Sequence, residues 1–378
     1  MPQYPRIAII GAGPAGLTLA TILQRHGWPV CMFESDAGPT ARDQGGTLDL
    51  HPDGGQMALE KAGLLQEFLA VARHEDQEMR ILDHASGAVL REIIPPPGTG
   101  DRPEIDRAVL RALLLAPLPA GTVRWNCRVE EAIAHADASH SLRLADRIVG
   151  PFDLVVGADG AWSRLRPALT QALPAYTGVT FVELWLPGVD ARHPAIARLV
   201  GHGSLLCLHR GAGLFAQRNG GGMIRVYAAL RTRPEDTDRP DVALAGLTIA
   251  ALLERFAGWS PELLELITQA DLIAAIRPIV AMAPGQYWAH RPGLTLLGDA
   301  AHVMPPMGEG VNLAMLDAAD LAGALVTADD WREVVRLCEE SILLRAAAIA
   351  RDCAEGFAEW FATENSRALL AHFDHHSP

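Results

Sequence analysis

The first 34 residues alternate between strand-like and helix-like patterns. The run IAII that ends at Ile10 is apolar and rich in β-branched residues, which is typical of strands buried in a parallel sheet. After the segment GAGPAG, residues 17–25 have the composition of a helix, and Gly27 ends it. The run VCMFE, from Val30 to Glu34, predicts the next strand. The chain is therefore predicted to begin with a βαβ unit.

The middle of the chain has a different pattern. Between residues 176 and 283 the apolar runs are short and alternate with polar residues, as in FVELWL, GSLLCLHR and MIRVYAAL, and turns such as RNGGG separate them. This alternation favours an antiparallel sheet in a second domain. Residues 331–365 instead carry apolar side chains at helical spacing. They predict one helix of about 50 Å, long enough to brace two domains.

Glycine spacing in the first turn indicates a dinucleotide site. Gly11, Gly13 and Gly16 form the pattern GxGxxG, with Ala15 inside it, between a strand and a helix. We expect Gly11 to allow the tight turn, Gly13 to let phosphate oxygens approach the backbone, and Gly16 to let the helix pack on the strand. Glu34 ends the second strand, where its carboxylate can accept hydrogen bonds from a ribose diol.

Two later strand ends favour FAD over NAD as the dinucleotide. The segment DLVVGADGAW ends a strand near Asp159, and GLTLLGDAAH ends another near Asp299. Ligands lie at the carboxyl ends of strands in a doubly wound sheet, and an Asp there can accept hydrogen bonds from a polyol. FAD has a ribityl chain that needs such a contact, whereas NAD has none. FAD is therefore the predicted cofactor.

These patterns predict an α/β fold in three parts. The first is a Rossmann-like FAD-binding domain with a parallel sheet and helices, the second is a substrate-binding domain with an antiparallel sheet, and the third is a long C-terminal bracing helix. The predicted boundaries are residues 1–70, 103–172 and 284–325 for the FAD-binding domain, 71–102 and 173–283 for the substrate-binding domain, and 330–366 for the helix.

Composition and charge narrow the possible partners. The net charge of −13 argues against nucleic acid and anionic membrane, because both require a cationic face. The sequence shows neither a signal-peptide pattern nor a membrane-spanning run of about 18 apolar residues. The five cysteines form no CxxC pair, which favours reduced thiols and a cytoplasmic location. We expect no metal site, because the three histidines of the tail AHFDHHSP stand on a segment expected to fray.

Taken together, the motifs resemble a known family. GAGPAG with Glu34, ADG at residues 158–160, and GDAAH followed by a glycine-rich loop resemble the class A flavoprotein monooxygenases, which have the para-hydroxybenzoate-hydroxylase fold. The likeness is greatest to the tetracycline destructases and covers most of the chain in the same order. The segments that carry it are QGGTLDLH (44–51), KAGLL (61–65), PEIDRAVLR (103–111), LFAQ (214–217) and GDAAHVMPP (298–306).

The resemblance implies further contacts to the cofactor. It assigns FAD contacts to Arg42 and to Asp49. It also places Arg107 and Pro306 near the flavin ring. No side chain is implied as an acid, a base or a nucleophile, because the flavin itself carries the chemistry.

The stretch GDAAHVMPPMGEGVN could serve as a metal site, as an acid/base pair or as a backbone cradle. A metal would need further ligands at suitable spacing, and the stretch offers only Asp299 and His302. The resemblance assigns Asp299 to the ribityl chain and His302 to the start of a helix. It also implies a loop in which Gly310, Val311 and Asn312 present backbone donors to the pyrimidine end of the flavin. Relatives usually carry one more residue here, so the loop is expected to be slightly shortened.

The resemblance also marks four positions as substrate-binding, namely Glu183, Phe215, Gln217 and Arg225. Glu183 stands where the destructases have a Gln, and Arg225 stands where they have a His. A substrate-binding Arg of that family has no counterpart near residues 203–204. Glutamate lacks the N–H donors of a glutamine amide. Without the arginine, the site lacks a guanidinium group that could bind polar oxygens through two parallel hydrogen bonds. The expected substrate is therefore a large phenolic or enolic ring compound, tetracycline-like or another aromatic polyketide.

The function implied is that of a monomeric, FAD-dependent monooxygenase. In this family NADPH or NADH reduces FAD, O2 then forms a flavin C4a-hydroperoxide, and its distal oxygen hydroxylates the substrate. Two alternatives stay open: a flavin dehydrogenase or reductase that transfers no oxygen, and a non-enzymatic binding protein with the same architecture, like the prenyl-binding GDP-dissociation inhibitors. A flavin halogenase is disfavoured because the sequence has no WxWxIP segment.

Overall fold

The computed structural model describes residues 4–96, 99–232, 246–362, 366, 369 and 370. Contacts between residues divide the chain into two units. Unit 1 contains Met1–Val71, Arg107–Ala175 and Val280–Cys353, and unit 2 contains Ala72–Asp106, Tyr176–Ile279 and Ala354–Pro378.

Strands and helices are numbered separately in chain order. The strands are β1 (Ile7–Ile10), β2 (Val30–Phe33), β3 (Thr47–Asp49), β4 (Glu78–Leu82), β5 (Val89–Ile93), β6 (Glu104–Asp106), β7 (Val123–Arg124), β8 (Val129–Ala134), β9 (His140–Leu144), β10 (Ile148–Phe152), β11 (Leu154–Gly157), β12 (Ala175–Leu186), β13 (Gly203–His209), β14 (Ala212–Asn219), β15 (Met223–Arg231), β16 (Leu272–Ala281) and β17 (Leu294–Leu296). The helices are α1 (Pro14–Arg25), α2 (Met57–Ala62), α3 (Leu65–Val71), α4 (Arg107–Leu115), α5 (Val189–Arg192), α6 (Pro194–Val200), α7 (Ile249–Arg255), α8 (Pro261–Thr268), α9 (Asp299–His302), α10 (Glu309–Thr327) and α11 (Trp331–Ala362).

A parallel sheet forms the centre of unit 1. Among the described residues it has five strands, in the order β17-β11-β1-β2-β7. Ile9 of β1 lies opposite Met32 of β2 on one side and Val156 of β11 on the other. The predicted βαβ unit is confirmed. Its helix begins at Pro14, earlier than the predicted Leu17, because proline suits the first turn of a helix, where an N–H group would lack a partner.

One helix of unit 1 is apolar on nearly every side. By length and composition alone, α10 is long and apolar enough to cross a membrane. Over half of it is buried inside the protein, including Leu313, Met315 and Leu321. Burial of this kind is the ordinary situation of a core helix.

A small antiparallel sheet in unit 1 is absent from the predictions. Its strands, β8, β9 and β10, are ordered β10-β9-β8. The sequence of β8, VEEAIA, has one buried residue, Val129, followed by two exposed glutamates. Such a strand carries too little apolar alternation to be recognised from its own residues.

The sheet of unit 2 covers one large core. Within the described chain its strands are ordered β16-β12-β15-β14-β13-β4-β5. The antiparallel pairing predicted for residues 176–283 is present in β12, β13, β14 and β15. The pair β4 and β13 is parallel, with Met79 opposite Ser204, so the sheet is mixed rather than purely antiparallel.

The long C-terminal helix is present as α11. Its buried side chains in unit 1 include Val335, Ile342, Ala346 and Ala350, at spacings that place them on one side of a helix. Residues 363–365, which end the predicted helix, lie outside the described residues. The predicted fold class, a parallel α/β domain with an antiparallel-sheet domain and a long C-terminal helix, is confirmed, apart from the one parallel pair in the second sheet.

Candidate active site

Four strand ends bring predicted cofactor residues to one edge of the unit 1 sheet. Gly11 follows β1, Glu34 follows β2, Asp159 lies just after β11, and Asp299 lies just after β17. These four strands are parallel, so their carboxyl ends share an edge. The strand order also changes direction at β1, and ligands of doubly wound sheets bind in the crevice at such a point.

The glycines of the first turn have two distinct roles. A Cβ on Gly11 would lie 2.2 Å from the carbonyl oxygen of Ala158, and one on Gly16 would lie 2.1 Å from the carbonyl oxygen of Gly11. These two glycines are therefore required by packing. A Cβ on Gly13 would meet no protein atom within 4 Å. The space beside Gly13, at the N-terminus of α1, suits a phosphate group.

The carboxylate of Glu34 is fixed beside this turn. Its Oε2 accepts a hydrogen bond from the backbone N–H of Ala12 at 2.6 Å, and its Oε1 accepts one from the N–H of Asp36 at 2.9 Å. Oε1 also accepts a hydrogen bond from the hydroxyl of Ser35 at 3.0 Å. Each carboxylate oxygen has two lone pairs, so Oε2 retains acceptor capacity for a ribose diol.

Arg111 holds the same turn and is missed by the sequence analysis. Its Nε donates to the carbonyl oxygen of Ala12 at 3.2 Å. One of its terminal nitrogens lies 3.0 Å from the carboxylate of Asp36 and 3.9 Å from that of Glu34. One feature of the sequence could have indicated Arg111: it lies one helical turn after Arg107 on α4, and therefore on the same side of that helix.

The two predicted cofactor arginines are more exposed than Arg111. The side chain of Arg42 is 60% exposed, and its Nε donates to Asp36 at 3.0 Å. Arg107 begins α4, and its backbone N–H donates to the carbonyl oxygen of Gly46 at 3.1 Å. Arg42 and Arg111 line one surface pocket. The roles of Arg42 and Arg107 in cofactor binding stay predictions.

The turn after β11 is tied to the turn after β17. Oδ2 of Asp159 accepts a hydrogen bond from the N–H of Arg164 at 2.7 Å, and burial raises the pKa of Asp159. The buried Arg166 donates to the carbonyl oxygens of Ala300 at 2.8 Å and Asp299 at 3.0 Å. Arg166 therefore fixes the backbone from which the side chain of Asp299 projects.

Asp299 presents its carboxylate to solvent at the sheet edge. Its side chain is exposed and makes no hydrogen bond to any residue that the structure describes. The preceding Gly298 has a φ of 56°, and a Cβ there would lie 2.8 Å from that of Ala314. The backbone is thus held close to α10, while the carboxylate stays available to an external hydroxyl group.

The predicted glycine-rich loop is partly helical, which corrects the sequence interpretation. Gly308 has a φ of 96° and caps α10, which begins at Glu309, so Gly310, Val311 and Asn312 belong to its first turn. The N–H groups of a first turn lack carbonyl partners within the helix. The segment therefore still offers backbone donors, but through a helix N-terminus rather than a loop. Pro306 lies just before it and is exposed.

The side chain of Asn312 is occupied within the protein. Its Oδ1 accepts hydrogen bonds from the N–H groups of His51 at 2.8 Å and Gly55 at 3.0 Å, and its Nδ2 donates to the carbonyl oxygen of Asp49 at 3.0 Å. Asp49 in turn contacts His51, with Oδ2 and Nε2 3.0 Å apart. Asn312 thus clamps residues 49–55 onto α10, a role that the sequence pattern does not reveal.

His302 is a buried residue at the end of α9, not at the start of a helix as the resemblance implies. Its Nε2 lies 2.6 Å from Oδ2 of Asp317, and both side chains are buried. Oδ1 of Asp317 accepts a hydrogen bond from Arg345 at 2.8 Å. Burial opposes protonation of His302, but the carboxylate of Asp317 outweighs it and raises the pKa of the imidazole. The three residues join α9, α10 and α11.

The four predicted substrate residues lie on one face of the unit 2 sheet. Tyr227 of β15 lies between Glu183 of β12 and Phe215 of β14. Arg225 of β15 lies opposite Gln217 of β14. Side chains alternate between the faces of a strand. The intervening residues form the core on the opposite face, namely Val182, Leu184, Leu214, Ala216, Ile224 and Val226. The substrate role of the four residues stays a prediction.

Glu183 is buried, and its carboxylate is hydrogen-bonded within the protein. Its side chain is 1% exposed, and its Oε1 accepts hydrogen bonds from Arg225 at 2.6 Å and Trp185 at 2.9 Å. Its Oε2 accepts one from Arg277 at 2.9 Å. Burial opposes ionisation, but these three hydrogen bonds outweigh it and lower the pKa of Glu183. The carboxylate therefore holds Arg225, Arg277 and the indole of Trp185, and its contact with a substrate stays a prediction.

The described residues include no group of three His, Cys, Asp or Glu side chains that could hold a metal ion. The histidine tail AHFDHHSP lies outside those residues. All five cysteines are free thiols.

Comparisons with known proteins agree with this geometry. The family model described as "FAD binding domain" matches residues 5–332. The monooxygenase asqM of Emericella nidulans is 34% identical over 375 residues, covering 85% of this chain and 83% of its own. A structure of an HpxO variant from Klebsiella pneumoniae with FAD aligns at a TM-score of 0.78 and 22% identity, covering 93% and 89% of the two chains. The tetracycline destructase Tet(55) aligns at 0.69 and 22%, covering 93% and 90%.

The residues at the sheet edge fit FAD. Gly13 borders open space at a helix N-terminus, and Glu34 retains acceptor capacity beside it. Asp299 has an available carboxylate at the same edge. With the destructases the chain shares the fold, and the resemblance to flavoprotein monooxygenases is confirmed. The chain belongs to the FAD-binding family of flavoprotein monooxygenases, and FAD is its cofactor.

Proposed function

We propose that the enzyme uses NADPH or NADH and O2 to hydroxylate a large phenolic or enolic ring compound, tetracycline-like or another aromatic polyketide. The observation that carries this proposal is a patch of aromatic rings on the side of the unit 2 sheet that faces away from its core. We call this patch the aromatic face, and it is made by Phe181, Phe215 and Tyr227.

The aromatic face suits a flat ring system. The ring centroids of Phe181 and Phe215 are 5.7 Å apart at an angle of 27°, and those of Phe181 and Tyr227 are 6.1 Å apart. All three side chains are partly exposed, and the rings of Phe181 and Phe215 also contact rings at the end of α11, namely Phe357, Trp360 and Phe361, so that helix covers part of the aromatic face. Gln217 and Arg225 lie on the same side of the sheet and add polar groups. Apolar walls with a few fixed polar groups are the usual makeup of a small-molecule site.

The cofactor residues supply position and charge. Bound FAD would accept a hydride from NADPH or NADH and supply, with O2, the oxygen atom for transfer. The turn at Gly13 and the N-terminus of α1 would hold the pyrophosphate, and Glu34 would accept hydrogen bonds from the ribose diol. Asp299 would accept one from a ribityl hydroxyl, and the first turn of α10 would donate from its N–H groups to the ring. We propose these roles for an enzyme that acts as a monomer in the cytoplasm.

The proposal is tested by a substrate screen. The purified holoenzyme is mixed with NADPH or NADH and a panel of tetracyclines and phenolic polyketides, and oxidation of the nucleotide is followed at its absorbance band. The proposal expects at least one compound to stimulate oxidation and to gain one oxygen atom by mass spectrometry. Stimulated oxidation with hydrogen peroxide and no oxygenated product would instead favour a flavin reductase.

A further inference from the structure

An ion cluster lies beside the aromatic face, where one carboxylate serves two guanidinium groups. Glu183 accepts hydrogen bonds from Arg225 through Oε1, and from Nε of Arg277 through Oε2. A second nitrogen of Arg277 is also 2.9 Å from Oε2. The single carboxylate of Glu183 is therefore shared between two guanidinium groups.

The two arginines differ in exposure to solvent. Arg225 is buried, and its guanidinium carbon lies 4.7 Å from the centroid of the Trp185 ring. The side chain of Arg277 is 50% exposed. Its neighbour on β16, Ile276, packs against the core, which agrees with Arg277 lying on the opposite side, where Glu183 lies. In the described part of the chain, Arg277 makes hydrogen bonds to Glu183 alone.

This arrangement prepares Arg277 to bind an anion. Glu183 holds one edge of the guanidinium, so the group loses less rotamer freedom when its other edge binds a ligand. Since Glu183 is shared with Arg225, it does not cancel the charge of both arginines. An anionic oxygen would complete the cluster through a charge-assisted hydrogen bond, which is shorter and stronger than a neutral one.

We propose that Arg277 is a specificity-determining residue that binds an anionic oxygen, a carboxylate or an enolate, on the ring compound, and that Glu183 is a positioning residue that holds Arg277 and Arg225. The inference rests on the proposed function, because it takes the aromatic face as the substrate face. It narrows the substrate class to ring compounds that are anionic at neutral pH.

A matched pair of probes tests the proposal on the oxidised holoenzyme, without NAD(P)H. The pair is 1-hydroxy-2-naphthoate and its neutral analogue 1-hydroxy-2-naphthamide, and calorimetry measures the Kd of each. Wild-type enzyme should bind the acid about tenfold or more tightly than the amide. Arg277→Gln should abolish this preference and change the Kd of the amide less than about threefold. Arg277→Lys should restore part of the preference for the acid, because lysine carries the positive charge but lacks the planar guanidinium that forms two parallel hydrogen bonds.

The control variant is Arg192→Gln. The side chain of Arg192 is 48% exposed and paired with Asp271, much as that of Arg277 is 50% exposed and paired with Glu183. It lies on α5, whose Val189 belongs to the core cluster. This variant removes one comparable positive charge from unit 2 and should keep the preference for the acid. Glu183→Gln should reduce the preference, whereas a purely structural role would lower thermal stability and leave the ratio of the two Kd values unchanged.

Two results would overturn the proposal: a wild-type enzyme that does not prefer the acid, including one that binds neither probe, and an Arg277→Gln variant that keeps the preference. Failure of the proposed function gives a different result. If the acid is preferred through Arg277 but no screened compound gains oxygen, anion binding by Arg277 stands and the oxygenase proposal fails.

Discussion

Individual residues at the edge of the parallel sheet divide into those that pack and those that face open space. Gly11 and Gly16 have backbone atoms where a Cβ would lie, whereas Gly13 has none within 4 Å. Glu34 and Asp299 differ in a similar way, because the protein anchors the first carboxylate and leaves the second exposed. This division separates changes that unfold the protein from changes that release the cofactor.

Substitution of the turn glycines tests that division. Gly13→Ala should change the free energy of unfolding of the apoprotein by less than about 1 kcal/mol, since the added methyl group meets no protein atom. It should weaken FAD binding about tenfold or more, because the methyl group takes the space meant for phosphate. Gly16→Ala should destabilise the apoprotein by about 1–3 kcal/mol through overpacking. Urea unfolding and FAD titration of each apoprotein measure both effects, and equal loss of stability in the two variants would refute the assignment.

Removal of the Asp299 carboxylate should also weaken cofactor binding. Asp299→Ala is expected to raise the Kd of FAD about tenfold, which corresponds to one lost hydrogen bond to a charged group. Protein stability should hardly change, because this side chain bonds to no described residue. Asp146→Ala is the control, since Asp146 is an exposed aspartate of unit 1 that pairs with Arg147. An unchanged Kd for Asp299→Ala would remove the residue from its proposed role.

At the scale of elements, α10 and its neighbours organise the cofactor edge. Asn312 attaches residues 49–55 to the first turn of α10, and the pair His302 and Asp317 attaches α9 to the same helix. Both contacts involve buried polar groups, for which the loss of one partner is costly. The position of the α10 N-terminus therefore depends on side chains that need not touch the cofactor.

Loss of the Asn312 clamp should destabilise unit 1. Asn312→Ala leaves the N–H groups of His51 and Gly55 without their acceptor, at an expected cost of about 2–5 kcal/mol in unfolding free energy. Asn312→Asp keeps an acceptor for both and loses the donor to the carbonyl oxygens of Asp49 and Gly308, so its cost should be clearly smaller. Thermal and urea unfolding compare the variants. Equal destabilisation by both substitutions would contradict this account of the clamp.

The His302 pair predicts a stability that depends on pH. Its folded-state pKa is raised above the ordinary 6.5, so protonation is favoured in the folded state. The pair therefore makes its full contribution to the free energy of unfolding below about pH 6.5. That contribution is lost as the pH rises through the folded-state pKa. The difference in unfolding free energy between wild type and His302→Gln should thus be larger at pH 6 than at pH 9. A difference that grows with pH would show that the sign is wrong.

The elements that short-range patterns specify could be predicted, and those set by distant contacts could not. The apolar strand before Gly11 and the helix after it carry their own signals within about 20 residues. The helical start at Glu309 depends on Gly308 in a left-handed conformation and on Asn312 reaching residues 51 and 55. Nothing in the local sequence reports such a contact.

At the scale of the whole molecule, the contacts of the proposed substrate residues also could not be predicted, because they join residues far apart in the chain. Glu183 and Arg277 are 94 residues apart in the chain, and only the assembled sheet of unit 2 brings them together. The sequence pattern marks Glu183 as an odd carboxylate in an apolar strand but does not reveal its partners. The sequence analysis misses both Arg111, which contacts the first turn, and Arg277, which contacts Glu183.

The comparisons identify the family and the cofactor of the protein. Transfer of an oxygen atom to a ring compound is the central proposal. The most direct test is the reaction of the holoenzyme with NADPH or NADH under ¹⁸O2, with a compound that stimulates nucleotide oxidation. The account predicts a product that contains one ¹⁸O atom from O2. Unlabelled compound, with all consumed O2 recovered as hydrogen peroxide, would contradict it.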